Sequence, residues 1–427
     1  MKVGLYFPSV HLGSWTWQDF LNDEVSLSGT DYRILFLTHL IAKHGYKVFL
    51  FSTQNIAEVT TTKQIQVDNF ATAVIKAKDT NIDILITCNR QNQDTVAGIK
   101  KCEEVHQPCV VYSGNGPSPE MADLLYRSMS VRRLVCASAT QADELRDRTN
   151  FPKTEFVYNS LKSCYLSDPS FLTQRNSLGV CYLGSLTPSK GFQHLARAWP
   201  RIHQAFPDAT LTVLGSAKLY QRNVSLGPLG VAEREFELTE IVPYLGSTRE
   251  EAQSKGVIFL GLASPKTICS VIASSSIGVV NPNCSGSLET FCTSAIEVQA
   301  GGAAVVGANR GGLRETVRNH ETGILINSEK QLADAIIKLL ANPEQTRQMG
   351  EEGERWAKET FNRDRIMDRW CSLLEAVVRD EKPYPPDFSW KRATWKTTVR
   401  EGIRQARKIP GLGNRVPTLH QLKSRFN

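Results

Sequence analysis

The sequence predicts an α/β protein built as two doubly wound parallel sheets. Three observations carry that expectation. Short apolar runs alternate with helical periods from the first residues onward. The alternation pauses once near the middle of the chain and then restarts. The length, 427 residues, exceeds what one ordinary core accommodates. In the first half, residues 3–7, 47–51, 82–87, 109–112 and 134–137 read as strands. Between them, residues 31–43, 94–104, 119–127 and 140–148 read as helices. Residues 161–179, rich in Ser, Asp and Pro, read as a linker. After it, residues 180–183, 211–214, 257–260, 277–280, 303–306 and 324–326 read as strands. Residues 192–205, 266–273, 291–299 and 330–341 read as helices. Residues 218–252 break the rhythm and read as surface decoration. The expected organisation is two Rossmann-like domains, 1–165 and 176–345, facing each other across a cleft. Helices over 346–380 lead back toward the first domain, Pro383-Tyr-Pro-Pro386 marks a boundary, and 381–427 form a tail.

Composition narrows the class. Apolar residues make up 41% and charged residues 22%, as in folded rather than disordered chains. The formal net charge of +7 is unevenly placed: residues 381–427 hold 11 Lys and Arg against 3 Asp and Glu, and the rest is 39 against 40. A neutral body with a basic tail argues against a protein that coats nucleic acid. The ten cysteines show no C-x-x-C pair or zinc-like spacing, so they read as small apolar residues in a reducing cytoplasm. Residues 1–8 read as a first strand rather than a signal peptide. The longest uncharged run, 267–288, is too rich in Ser, Asn and Pro to span a bilayer.

The chemistry concentrates in Glu289-Thr-Phe-Cys-Thr-Ser-Ala-Ile-Glu297, followed by Gly301-Gly302 and Gly311-Gly312-Leu-Arg-Glu315. Parallel sheets bind ligands at the carboxyl ends of their strands. Glu289 is expected just ahead of a helix, where the N–H groups of Thr290, Phe291 and Cys292 would favour a diphosphate. Eight helical residues rise about 12 Å, a span that suits carboxylates at the two ends of a nucleotide-sugar.

These residues, with Tyr182-Leu-Gly-Ser-Leu-Thr-Pro-Ser-Lys-Gly191, Asn281-Pro282 and Gly323-Ile-Leu-Ile326 in the same order, resemble the retaining GT-B glycosyltransferases of family GT4. The resemblance covers about residues 1 to 375 and is strongest from Val180 to Ile326. It implies a GT-B fold and transfer of a sugar from a nucleoside-diphosphate-sugar to a hydroxyl of a glycan or lipid-linked acceptor. It further implies a retaining front-face route and no cofactor or metal; no Asp-x-Asp pair is present. Lys190 matches the lysine that neutralises the departing diphosphate. Glu289 matches the residue facing the donor sugar, and Glu297 the residue holding the ribose hydroxyls. Phe291 fills the small-aromatic-small motif. Ser28-Gly29-Thr30 matches the Gly-Gly loop before the first helix.

The departures are specific. Ser185 stands where the family has an arginine in the donor loop, with Arg310 and Arg314 as candidate replacements. Gly-Phe-Gly has become Thr290-Phe291-Cys292. Tyr112-Ser-Gly-Asn-Gly-Pro117 carries no histidine at the acceptor side, leaving Ser113, Asn115 or the more distant His11. In the tail, Trp395, Val399, Ile403 and Ala406 share one helical face among Lys391, Arg392, Lys396, Arg400, Arg404, Arg407 and Lys408. That pattern suits either packing on the body or peripheral contact with an anionic inner membrane face. The leading expectation is a cytoplasmic transferase of polysaccharide or cell-envelope synthesis. A GT-B sugar epimerase and a catalytically degenerate GT-B scaffold are the competing readings.

Overall fold

A computed structural model describes residues 1–8, 15–25, 27–57, 59, 62–149, 151–166, 175–219, 223–286, 288–383, 395–409, 411, 416–419 and 421–422. His11, Lys391, Arg392 and most of the 383–386 boundary lie outside them. The chain divides into two compact units. One comprises Met1–Trp17, Gly29–Tyr158 and Ile366–Asn427; the other comprises Gln18–Ser28 and Asn159–Arg365.

The first unit is a seven-stranded parallel sheet. Its strands are β1 (Lys2–Phe7), β2 (Lys47–Ser52), β3 (Lys63–Gln66), β4 (Ile84–Cys88), β5 (Cys109–Ser113), β6 (Val131–Cys136) and β7 (Thr154–Phe156). They lie in the order β3-β2-β1-β4-β5-β6-β7. Helices cover both faces, so the central strands read as continuous apolar runs rather than alternating ones. Val3, Leu5, Leu50, Ile84, Val110 and Val111 are fully buried.

The second unit repeats the plan with six strands. They are β8 (Asn176–Leu183), β9 (Thr210–Leu214), β10 (Val257–Gly261), β11 (Ser275–Val280), β12 (Ala304–Ala308) and β13 (Gly323–Ile326), in the order β10-β9-β8-β11-β12-β13. In each sheet the winding reverses once, between β1 and β4 and between β8 and β11. In parallel sheets of this kind, ligands bind at the carboxyl ends of the strands beside such a reversal.

Several expectations need correction. The helix Phe70–Asp79, capped by the Asn69 side chain on Thr72 N, and the edge strands β3 and β7 escaped the sequence reading. The segment read as surface decoration belongs to the core: Leu229, Val231, Ala232, Ile241, Leu245 and Ala252 are fully buried. The fully buried Glu237 carboxylate organises it, accepting from the N–H groups of Leu229, Val231 and Ala232 at 2.5, 3.0 and 2.7 Å. The Gln18–Ser28 stretch belongs to the second unit, where Asp23 accepts from Cys164 N at 2.9 Å. The helix Arg363–Val378 carries the chain from the second unit into the first. No cysteine is in a disulfide, and all but Cys164, Cys284 and Cys371 are buried.

Candidate active site

The site in the second unit is assembled by the loops after β8 and β11. Tyr182, buried in β8, donates its hydroxyl to the Lys190 carbonyl at 3.0 Å and so ties the end of the loop to the strand. Gly191 then turns with φ +75, and a Cβ there would lie 2.7 Å from Asn283 N. Only glycine lets the two loops meet this closely. The consequence is a direct ion pair: Lys190 Nζ stands 2.7 Å from Glu289 Oε2. Asn281, at the end of β11, donates its amide to the same oxygen at 2.6 Å.

A second glycine pair holds Glu289 from behind. Gly312 N donates to Glu289 O at 2.7 Å. A Cβ on Gly311 would lie 2.2 Å from that carbonyl, and one on Gly312 would lie 2.5 Å from Phe291 Cα. These glycines therefore seat the Glu289–Phe291 backbone. Phe291 points into the core against Phe361, with ring centroids 5.6 Å apart.

The charges are self-consistent. Burial alone would push the Glu289 carboxyl up. The Lys190 charge and the hydrogen bonds from Lys190, Asn281 and Thr290 N–H together outweigh it, and the carboxyl sits below its usual range. Glu289 is thus an anion at neutral pH, suited to accept hydrogen bonds and face positive charge rather than to donate a proton. Burial, reinforced by the Glu289 charge, pushes the Cys292 thiol up to about 12, so it is no nucleophile.

The helix begins at Thr293, two residues later than expected, because Cys292 takes a left-handed conformation with φ +70. The Thr290 N–H turns to the Glu289 carboxylate, so the expected row of donors at Thr290, Phe291 and Cys292 is not the helix N-terminus. Only the second half of the eight-residue interval is helical, so the expected rise of about 12 Å does not describe it. Glu297, 4% exposed, pairs with Lys162 Nζ at 2.6 Å. Burial would lower Lys162, but the charge and the hydrogen bond of Glu297, with smaller help from Cys164 and Asp23, together hold it above its usual value. Lys162 lay in the stretch read as a linker and carried no motif that could have found it.

Ser185 is buried and donates to Ser216 O at 3.3 Å. Arg310 holds Gly286 O at 2.8 Å, and Arg314 holds Asn309 O at 3.0 Å, so both brace loops. Gly29 and Thr30 open the helix Gly29–Lys43 of the first unit. There Ser113 Oγ donates to Asn115 O at 2.6 Å. Among the described residues, no three His, Cys, Asp or Glu side chains cluster as a metal site requires.

Residues 170–356 match the model of the family described as glycosyl transferases group 1. A D-inositol 3-phosphate glycosyltransferase of Rhodococcus erythropolis (strain PR4 / NBRC 100887) is 30% identical over 235 residues, 53% of this chain and 48% of that protein. A GDP-mannose-dependent alpha-(1-6)-phosphatidylinositol monomannoside mannosyltransferase of Mycolicibacterium smegmatis is 28% identical over 200 residues, 44% and 47% of the two chains. The chain spans about half the length of the curated relatives it matches. Among solved structures, Anabaena Alr3699/HepE in complex with UDP has a TM-score of 0.64 at 18% identity, covering 88% of this chain and 100% of that one. Sucrose-phosphate synthase (tll1590) from Thermosynechococcus elongatus has a TM-score of 0.67 at 15% identity, covering 89% and 100%. These likenesses show a GT-B fold. Residues 170–356, which hold both Lys190 and the Glu289–Glu297 interval, match the glycosyl transferases group 1 family.

Proposed function

We propose that the protein is a retaining, metal-independent glycosyltransferase that moves a sugar from a nucleoside-diphosphate-sugar to a hydroxyl of a glycan or glycolipid. The observation that carries this reading is the Lys190–Glu289 pair at the reversal point of the second sheet. The pair sets a cation and an anion side by side. A donor would draw Lys190 to its diphosphate and Glu289 to its sugar hydroxyls. As the C1–O bond to the diphosphate breaks, negative charge gathers beside Lys190 and positive charge on the sugar ring beside Glu289. The acceptor oxygen bonds to C1 from the departing side, and a phosphate oxygen takes its proton. Glu297 then serves the ribose, exchanging its Lys162 partner for hydroxyls. The names of two similar proteins supply donor classes: one is GDP-mannose-dependent, and HepE is solved with UDP and UDP-glucose.

The reading includes peripheral contact with an anionic membrane from the cytoplasmic side. No helix among the described residues is long and apolar enough to cross a bilayer. The helix Trp395–Arg407 instead packs by a polar face, with Thr397 and Arg400 on Asp143 at 3.0 and 3.1 Å. Its opposite side leaves Trp395 67% exposed and Val399 38% exposed, with Ile409 beyond at 51%. Lys396 and Lys408 add positive charge, which matches an anionic surface.

The test is hydrolysis of UDP-, GDP- and ADP-sugars by the purified protein, with and without EDTA, beside Glu289→Ala. Turnover of one donor, indifferent to EDTA and at least a hundredfold lower in the variant, is expected. Nucleotide binding without turnover for any donor or acceptor would favour the degenerate scaffold instead.

A further inference from the structure

The carboxyl edge of the first sheet holds a charge that donor chemistry leaves unused. Arg33 lies in the second turn of the helix Gly29–Lys43 and is 4% exposed. Its guanidinium stands over the Tyr112 ring at 6.0 Å, the outer limit of a cation–π contact. Among the described residues it makes no ion pair or hydrogen bond, and its Nε is a buried donor without an acceptor. Arginine does not shed its proton in proteins, so this is a positive charge that no described residue pairs with, on a side chain whose Nε is enclosed. A fold rarely keeps one without an anion to meet it.

Two neighbouring side chains are left incomplete in complementary ways. Arg90, just beyond β4, gives Nη2 to Asp31 Oδ1 at 2.5 Å but leaves Nε without an acceptor. Asn89, 5% exposed, donates to Ser113 Oγ at 3.3 Å, while among the described residues its Oδ1 accepts from none. Both follow Cys88, whose thiol feels the charges of Arg90, Asp31 and Arg33. The residues therefore converge at the ends of β4 and β5, beside the reversal point of this sheet. The rim is open: Gly29, Asn115 and Gly116 are exposed, and a Cβ on Gly29 would meet no atom within 4 Å.

We propose that Arg33, with Arg90 and Asn89, forms an anion-binding site for the acceptor, which carries a phosphate or carboxylate next to a hydroxyl. The guanidinium fork of Arg33 matches the paired oxygens of such a group. Arg90 adds a second donor, and Asn89 Oδ1 accepts from the neighbouring hydroxyl. The role as an acceptor site rests on the transferase reading; the anion site itself does not.

The experiment uses the full chain and isothermal titration with glycerol 3-phosphate, inorganic phosphate, malonate, uncharged glycerol, UDP and GDP. The parent protein is expected to bind the anionic probes and not glycerol. Arg33→Gln should weaken the anionic probes at least tenfold, Arg33→Lys less, and neither should melt below the parent, because Gln removes an unpaired charge. Binding of a nucleotide that falls in step with glycerol 3-phosphate in Arg33→Gln would assign the charge to the donor and overturn the proposal. So would parent protein that binds no anionic probe, or an Arg33→Gln that melts lower and binds every probe as before. If anions bind through Arg33 while no nucleotide binds and no sugar nucleotide is turned over, the transferase reading fails and the anion site stands.

Discussion

At the scale of single residues, the pairing of Lys190 with Glu289 makes each charge depend on the other. Removing one partner of a shielded pair leaves the other uncompensated, which costs about 3–5 kcal/mol in a fully buried setting. The Lys190 side chain is 28% exposed and Glu289 11%, so water softens the loss. Lys190→Ala should therefore destabilise the protein by about 1–2 kcal/mol in urea melts at pH 7. The sign with pH follows from the lowered carboxyl. Glu289 stabilises the fold above its unfolded pKa of about 4.3, and that contribution is lost as pH falls through its lower folded value. The gap between parent and variant should close over that acid window; a gap that persists below it would refute the pairing. Glu289 and Lys190 stood out in the sequence because charged groups have few substitutes, and the fold pairs them. Lys162 was not, because a buried lysine is recognised only by the carboxylate that folding brings to it. Ser185 carries a weaker signal for the converse reason: a small hydroxyl is equally at home against a backbone carbonyl, here Ser216 O.

At the scale of elements, glycines decide where loops meet. A methyl group on Gly312 would press on Phe291 Cα and move the loop that carries Glu289. Gly312→Ala should cost about 1–3 kcal/mol in stability and weaken nucleotide binding, measured by denaturant melts and titration. Unchanged values for both would show that the loop is not seated there. The helix Trp395–Arg407 makes a separate prediction. Replacing Trp395, Val399 and Ile409 together by Ser should lower co-sedimentation with phosphatidylglycerol vesicles several-fold, with the melting temperature unchanged. Equal sedimentation, or loss of a dimer in light scattering, would reject the lipid contact. Both faces of this helix were visible in the sequence as a pattern. Which face the body takes was not, because Asp143 is 252 positions before Trp395 and local periodicity is blind to it.

At the scale of the whole molecule, the alternation of strands and helices was enough to read two wound sheets. The short edge strands β3 and β7 were missed, since three or four residues carry little period. The mixed membership of the units was missed too, because nothing local says on which sheet a segment packs. The first unit is closed by the last part of the chain: Trp370 tilts against Tyr112 at 6.3 Å, Arg133 holds Glu381 O at 2.8 Å, and Leu419 N donates to Asp147 at 2.8 Å. A fragment of residues 1–158 should therefore lack cooperative thermal unfolding by circular dichroism, and adding residues 366–427 in trans should restore part of it. A fragment that melts as sharply as the full chain would show that the closure is dispensable.

This interleaving also sets an order on the ribosome. The second unit ends at Arg365, and its early strip, Gln18–Ser28, has long since emerged when that residue appears. The first unit, although its strands are made first, waits for Ile366–Asn427. Nascent chains stalled soon after Arg365 clears the exit tunnel would thus carry a finished later half and an unfinished earlier one. That reverses the usual amino-terminal-first sequence of domain completion during translation.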